Sequence, residues 1–173
     1  MNTYDLSATG CRNELRRPAS GRWILFTFVC SYILNIATMG GNLMWLPDFL
    51  AVTLAYWCIR QPRNVGMLVA FTCGILMDVL TGSVLGQQAL AYVTLAYLAY
   101  ALHRRVPWFG PIGQALHVLP LFFIAQLTVL IVRLWLDDIL PDPLWLLQSV
   151  TSALIWPLWS YLLQTAQRRN ERI

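Results

Sequence analysis

Long apolar stretches alternate with short polar gaps along almost the whole chain. Each stretch is close to the length of about 20 residues that an α-helix needs to cross the hydrocarbon core of a bilayer. The runs are continuously apolar, and in lipid a helix satisfies all of its own backbone groups. The pattern therefore predicts six transmembrane helices, at residues 23–39, 43–59, 65–85, 88–102, 112–136 and 144–166.

Arginine marks every second gap between these stretches. The chain has twelve basic residues, all of them arginine, and eleven lie in the N-terminal segment, at 60–63, at 103–105 and in the C-terminal segment. The gaps near 40–42, 86–87 and 137–142 contain none, and the last of these is acidic. Because short arginine-rich loops stay on the cytoplasmic side, the pattern predicts that both termini are cytoplasmic.

These signals predict an all-α integral membrane protein with one domain. We expect a cytosolic tail at residues 1–21, a six-helix transmembrane bundle at 22–166 and a second tail at 167–173. Indole rings prefer the two membrane interfaces. Tryptophans agree with this layout, three near the predicted inner ends and three near the outer ends: Trp23, Trp57 and Trp108 inside, Trp45, Trp135 and Trp145 outside.

Composition narrows the class of protein further. The chain is 58% hydrophobic and only 12% charged, whereas an average soluble domain is about a quarter charged. The net charge of +4 is confined to clusters beside apolar runs, which argues against nucleic-acid binding. The four cysteines have no paired spacing, and no phosphate loop, nucleophile elbow or zinc-binding motif is present. We therefore predict no catalytic, cofactor-binding or metal-binding residues and no enzymatic activity.

Small residues recur every four positions through the third predicted span. The set is Gly66, Ala70, Gly74, Asp78, Gly82 and Gly86. Residues at this spacing share one face of a helix, and small residues on such a face allow another helix to approach closely. The pattern predicts a helix-packing face, used within the chain, by a second copy in a homo-oligomer, or by a partner.

Asp78 interrupts this face with a carboxyl group. A charged aspartate at the centre of a membrane helix costs about 2.5–3.5 kcal/mol on insertion scales, so it should face protein or a water-filled cavity. Three interpretations stay open. Asp78 forms an intramembrane charge pair with Arg133 or accepts helix-end and hydroxyl hydrogen bonds, with Thr81 and Ser83 nearby; it belongs to a partner face or remnant cavity; or it takes part in proton or ion coupling.

The central part of the chain, roughly residues 46–103, resembles the family of the bacterial rod-shape-determining protein MreD. The resemblance rests on an ordered set of residues rather than on one motif. They are Pro47-Asp48-Phe49-Leu50, Leu54-Ala55-Tyr56-Trp57, Arg60, Pro62, Gly66, Gly74-Ile75-Leu76-Met77-Asp78, Leu80, Gly82, Gly86 and Ala89-Leu90. The family's Gly-x-x-x-Asp element corresponds to Gly74 and Asp78.

The resemblance implies a non-enzymatic subunit of the cell-elongation machinery in the bacterial cytoplasmic (inner) membrane. Its implied partners are an MreC-like bitopic protein and, indirectly, MreB-like filaments and a RodA-type peptidoglycan polymerase with its class B penicillin-binding protein. The family has no established catalytic residues, so none is transferred.

MreD is also similar in fold to the substrate-binding subunits of energy-coupling-factor transporters. A small-molecule-binding subunit of a vitamin-type transporter is therefore the alternative function. In those subunits an Ala-x-x-x-Ala face on the first helix contacts the coupling subunit, and here the first span has Ala37 without a second alanine at that spacing. This difference favours the elongation subunit.

Overall fold

The computed structural model describes residues 21–39, 46–62, 64–103, 111–136 and 146–170. Within these ranges the chain forms six α-helices and no strand, so the predicted all-α class is confirmed. The helices are α1 (Gly21–Met39), α2 (Phe49–Arg60), α3 (Met67–Thr81), α4 (Gln87–Leu102), α5 (Pro111–Leu136) and α6 (Leu147–Asn170). Residues 1–20 of the first predicted tail, residues 171–173 of the second, the acidic gap at 137–142, and Trp45, Trp108 and Trp145 lie outside the described residues.

Helix α2 forms the centre of the bundle. All residues from Leu50 to Ile59 are buried, so this short helix has no lipid-facing side. Helices α1, α4 and α6 pack directly on it, and α3, α4, α5 and α6 pack successively on one another. Trp57, predicted at the inner membrane interface, is instead fully buried in this core. Its indole N–H donates to Oγ1 of Thr27 at 2.9 Å, so the ring packs inside the bundle, and its depth near the inner membrane surface stays a prediction.

The outer surface of the bundle is strongly apolar. Leucine, isoleucine, valine and phenylalanine side chains stay exposed on α1, α3, α5 and α6, with Leu154 76% and Trp135 91% exposed. Among the described residues, two helices are long and apolar enough to cross a membrane, over Gly21–Thr38 and Gly113–Leu136. Apolar surface on this scale indicates contact with lipid or with other proteins.

Two predicted spans are longer than the observed helices. The second was predicted from residue 43, but α2 begins at Phe49, because Pro47 and Asp48 precede it in non-helical conformation; residues 43–45 lie outside the part of the chain described. The third was predicted to reach residue 85, but α3 ends at Thr81. Gly82 stops it there by adopting a left-handed conformation, with φ of 63°, a common way for a helix to end.

Candidate functional site

Asp78 lies on the last turn of α3 and is fully buried. Immediately after that turn the chain reverses through Gly82–Gly86 and begins α4 at Gln87. The backbone N–H groups of Gly82 and Ser83 both bind the carbonyl oxygen of Asp78, which closes the end of α3. The side chain of Asp78 is thereby placed beside the start of the next helix.

The carboxylate of Asp78 accepts four hydrogen bonds. Oδ1 accepts from Ser83 Oγ at 2.9 Å and from the backbone N–H of Gln88 at 2.8 Å. Oδ2 accepts from the backbone N–H groups of Gly86 at 2.8 Å and Ala89 at 3.4 Å. The first N–H groups of a helix have no partner within the helix, and a carboxylate there also interacts favourably with the helix dipole. Asp78 therefore caps α4 from the neighbouring helix.

The predicted helix-end and hydroxyl hydrogen bonds of Asp78 are thus confirmed. Thr81 does not contact the carboxylate in this way but supports it indirectly, because its hydroxyl donates to Ser83 Oγ at 2.9 Å. The ion pair between Asp78 and Arg133 stays a prediction. Arg133 lies in the last turn of α5, half-buried, where a cation interacts favourably with the carboxyl-terminal end of its own helix.

Gly74, one turn before Asp78, brings the two helices together. A Cβ atom added at Gly74 would lie 2.2 Å from the Cα of Ala89 and 2.6 Å from its backbone nitrogen. No side chain fits in that space, and the obstacle is backbone that cannot turn away. The Gly74-x-x-x-Asp78 element therefore acts as one unit: the glycine admits the amino-terminal end of α4, and the aspartate caps it.

The six small-residue positions do not form one helical face. Ala70, Gly74 and Asp78 are buried on α3, but Gly66 only precedes that helix, and Gly82 and Gly86 lie in the turn after it. The single stripe was wrong because α3 ends before Gly82. Gly82 and Gly86 instead supply the two positive φ angles of the turn, 63° and 102°, which are easily adopted only by glycine. Use of these positions as a partner face stays a prediction.

A second aspartate, Asp48, caps α2 in the same manner. Its Oδ1 accepts the backbone N–H groups of Leu50 and Ala51, both at 3.0 Å. The remaining N–H group of this turn, that of Phe49, binds Asn35 Oδ1 on α1 at 3.1 Å. An aspartate directly before an apolar run is a recognised start signal for a helix, and that signal could have identified this role in the sequence.

Asp48 also joins four helices, which the sequence analysis missed. Its Oδ1 accepts from Asn35 Nδ2 of α1 at 2.8 Å, and its Oδ2 accepts from the hydroxyl of Tyr92 on α4 at 2.5 Å. Its backbone N–H donates to Ser152 Oγ of α6 at 3.2 Å. We call Asn35, Asp48, Tyr92 and Ser152 the Asp48 cluster. Together with the Asp78 cap, it lies at the end of the bundle that the arginine pattern assigns to the outside.

A second polar layer lies one turn further along α2. Thr53 Oγ1 is 2.6 Å from Ser31 Oγ of α1 and accepts the indole N–H of Trp159 on α6 at 2.9 Å. Thr53 and Ser31 are fully buried. Interhelical hydrogen bonds of this kind fix which helix faces meet. Helix α2 is therefore held to α1 and α6 by these side-chain hydrogen bonds as well as by packing.

The arrangement offers no metal-binding chemistry in the described part of the chain. No group of three histidine, cysteine or acidic side chains there could hold a metal ion. His117 binds the carbonyl of Gly113 in its own helix at 2.8 Å, and the His103 ring stacks on Tyr100. The buried side chains of Thr53 and Asp78 instead form hydrogen bonds that hold helices together.

Two comparisons with known proteins gave matches. The family model described as rod shape-determining protein MreD matches residues 19–166, a longer stretch than the resemblance at 46–103. A curated protein, the rod shape-determining protein MreD of Haemophilus influenzae, is 31% identical to this chain over 155 residues, covering 87% of this chain and 93% of that protein. No solved structure matches the chain.

Proposed function

Since this chain belongs to the MreD family of rod shape-determining proteins, we propose that it is a non-enzymatic membrane subunit of the bacterial elongation machinery. The family supports a role in rod shape determination. More specifically, we propose that the protein binds an MreC-like bitopic protein. Through it, the protein would connect MreB-like filaments indirectly with a RodA-type polymerase and its class B penicillin-binding protein. One observation carries this proposal. The polar side chains of Asp48 and Asp78 form hydrogen bonds to other residues of this chain, while large apolar side chains are exposed on the outside of the bundle.

The proposed topology has six spans with both termini in the cytoplasm. Helix α2 has 12 residues and is only about 18 Å long, less than the hydrocarbon thickness of about 30 Å. A short helix is nevertheless acceptable at membrane depth if protein surrounds it and its end groups are satisfied. Burial of α2 and the caps made by Asp48 and Asp78 support that condition for the starts of α2 and α4.

Cysteine labelling tests this topology. In a variant without the four native cysteines, Asn42→Cys should react with a membrane-impermeant maleimide in intact cells. Gln61→Cys should react only after the cells are opened, because it lies between Arg60 and Arg63 on the predicted inner side. Labelling of Gln61→Cys in intact cells would contradict the proposed orientation.

The partner would bind to an apolar helix face. Helix α1 exposes Leu25, Val29 and Ile33, and α6 exposes Leu154 and Tyr161, each set on one side of its helix. Helix–helix association in membranes relies on packing, with interhelical hydrogen bonds of about 0.6–2 kcal/mol each. Single substitutions on such a face should therefore weaken binding gradually.

Photo-crosslinking in living cells identifies the face. A photoreactive amino acid at Leu25, Ile33, Leu154 or Tyr161 should crosslink the MreC-like protein from one helix and not from the other. Leu54, fully buried in α2, serves as the matched control and should give no crosslink. Absence of crosslinks from every exposed position, in cells whose rod shape depends on the protein, would count against direct binding.

The transporter alternative has little structural support. Among the described residues, an apolar pocket of about 180 Å³ lies at the end of the bundle assigned to the inside. Pockets for drug-sized ligands usually measure about 300–1,000 Å³ and contain several converging polar groups. Measurable binding of a vitamin-sized ligand by the purified protein would favour that alternative.

A further inference from the structure

In the proposed topology the Asp48 cluster lies well below the outer membrane surface. Arg60 ends α2 on the inner side and Asp48 precedes that helix, so a rise of about 1.5 Å per residue places Asp48 about 18 Å from the inner boundary of the hydrocarbon. Along α4, Tyr92 is about 17 Å from His103, which follows that helix. In a hydrocarbon layer of about 30 Å the cluster is therefore about 10 Å below the outer surface, and any tilt of the helices increases that depth.

Two neighbouring helices extend outward beyond this level. Helix α1 passes Asn35 of the cluster and continues to Met39. Gln126 of α5 donates to Gln148 in the first turn of α6 at 2.9 Å, and α5 continues for ten residues beyond that contact to Leu136, a distance of about 15 Å. In the described part of the chain, the ends of α1 and α5 therefore rise above the starts of α2 and α6.

Asp48 is half-buried, although every residue from Leu50 to Ile59 behind it is buried. The described donors to its carboxylate are all neutral: Asn35, Tyr92 and two backbone N–H groups. A charged side chain at membrane depth faces protein or a water-filled cavity, because lipid offers it no hydrogen bond. The exposed part of Asp48 therefore faces water, and its negative charge attracts cations.

Ser149 of α6 provides an independent observation. It precedes Ser152 by three residues and so lies on the same face of α6, one turn nearer the outer side. Ser152 Oγ accepts the backbone N–H of Asp48, so this face of α6 is directed at the start of α2. Ser149 is 2% exposed, and its hydroxyl has no hydrogen-bond partner among the described residues. A buried polar atom without a protein partner indicates a bound water molecule or ion.

We propose that a water-filled crevice opens on the outer side of the bundle, ends at Asp48 and binds a cationic group there. The ligand is a monovalent cation or the ammonium group of a molecule on the outer side, because Asp48 supplies a negative charge that the described residues leave unpaired. The proposal goes beyond the role in cell shape. It depends on the proposed orientation of the membrane spans, which the labelling of Gln61→Cys tests separately.

Chemical labelling in intact cells tests the crevice. Leu46→Cys and Phe49→Cys, each half-buried beside Asp48, are made in the full-length chain without its native cysteines and treated with membrane-impermeant methanethiosulfonates. Both should react from the outside. Ile33→Cys is the matched control: it lies on α1 at nearly the same depth and is 57% exposed, but it faces lipid, where the reactive thiolate does not form. It should stay unlabelled.

The charge of the reagent tests the role of Asp48. At Phe49→Cys the cationic reagent should react about fivefold faster than the anionic one, after each rate is divided by that with a free thiol, as expected for one unit charge near the thiol. Asp48→Asn should abolish this preference and should fold, because asparagine keeps an oxygen that can cap α2. If the amount of this variant in the membrane falls, Asn42→Cys near the outer surface gives the comparison, and its cationic preference should be smaller.

Three results would overturn the proposal. The first is no reaction at either Leu46→Cys or Phe49→Cys, which would show that water does not reach Asp48. The second is labelling of Ile33→Cys as fast as that of Phe49→Cys, which would place this end of the bundle outside the membrane. The third is a cationic preference that persists in Asp48→Asn or is equally large at Asn42→Cys. Crosslinking to the MreC-like protein is measured independently, so failure of this inference is distinguishable from failure of the proposed function.

Discussion

Replacing Asp78 with alanine should destabilise the bundle more than any other removal of a single polar side chain at this junction. The change removes the acceptor of three backbone N–H groups at the start of α4 and of the Ser83 hydroxyl. Four hydrogen bonds at the membrane average of about 0.6 kcal/mol give a lower limit near 2 kcal/mol. Buried donors left without a partner cost about 1–3 kcal/mol each, but water entering from the nearby surface offsets part of this. We expect a loss of about 2–5 kcal/mol in the free energy of unfolding.

The measurement is reversible unfolding of the purified protein in mixed micelles with increasing dodecyl sulfate, followed by tryptophan fluorescence. Ser83→Ala is the matched control, because it removes one donor and leaves the backbone caps intact; it should cost about 1 kcal/mol or less. Asp78→Asn should fall between the two, since the amide keeps one acceptor oxygen but directs N–H groups at backbone donors. An effect of Asp78→Ala no larger than that of Ser83→Ala would refute the capping explanation.

The same assay tests the ion pair predicted between Asp78 and Arg133. In a double-mutant cycle, independent side chains give effects that add to within about 0.5 kcal/mol. If Asp78 stabilises the bundle only by capping α4, the losses in unfolding free energy from Asp78→Asn and Arg133→Gln should add within that limit. A coupling energy above about 1 kcal/mol would instead support the ion pair.

Further substitutions test the neighbouring contacts. Gly74→Ala should cost more than about 1–3 kcal/mol in the same unfolding assay, because its Cβ would lie 2.2 Å from the Cα of Ala89. The control Gly66→Ala should be nearly neutral, because a Cβ there meets open space. Equal effects of the two substitutions would contradict the close approach of α3 and α4. Tyr92→Phe should cost about 1.5–3 kcal/mol by removing the hydrogen bond to Asp48, and unchanged stability would show that this bond contributes little. In cells, Gly74→Ala should lower the amount of protein and round the rods, as seen by immunoblot and microscopy.

The two aspartates act in the same way at one end of the bundle, the end that the arginine pattern assigns to the outside. Asp48 and Asp78 each bind two or more backbone N–H groups at the start of a short helix, and Tyr92 connects the first aspartate to the helix that the second one caps. A short helix that starts below the membrane surface needs such acceptors, because lipid supplies none. The small-residue pattern predicted a helix-packing face within the chain or with another protein. Gly74 packs against α4 of the same chain, and use of the face by a partner stays a prediction.

The sequence predicted the class, the helix count within the described residues and several helix ends. For α1, α4 and α5 the predicted first residues lie within two of the observed ones, since hydropathy changes sharply there. It failed where local chemistry overrode hydropathy: the apolar character continues past Gly82, but the backbone at that glycine turns left-handed. The start of α2 was missed in the same way, although Asp48 before Phe49 carried the signal.

By itself, the sequence determined which segments are apolar, where arginine lies, and that Gly74 and Asp78 share a helix face, because these properties depend on residues close together in the chain. Only the tertiary structure decided what those residues touch. Asn35, Asp48, Tyr92 and Ser152 come from four helices, and no periodicity along one helix encodes which neighbour it will face. The same holds for Asp78: its burial followed from its place in an apolar run, but its role as the cap of α4 depends on the close approach of two helices at Gly74.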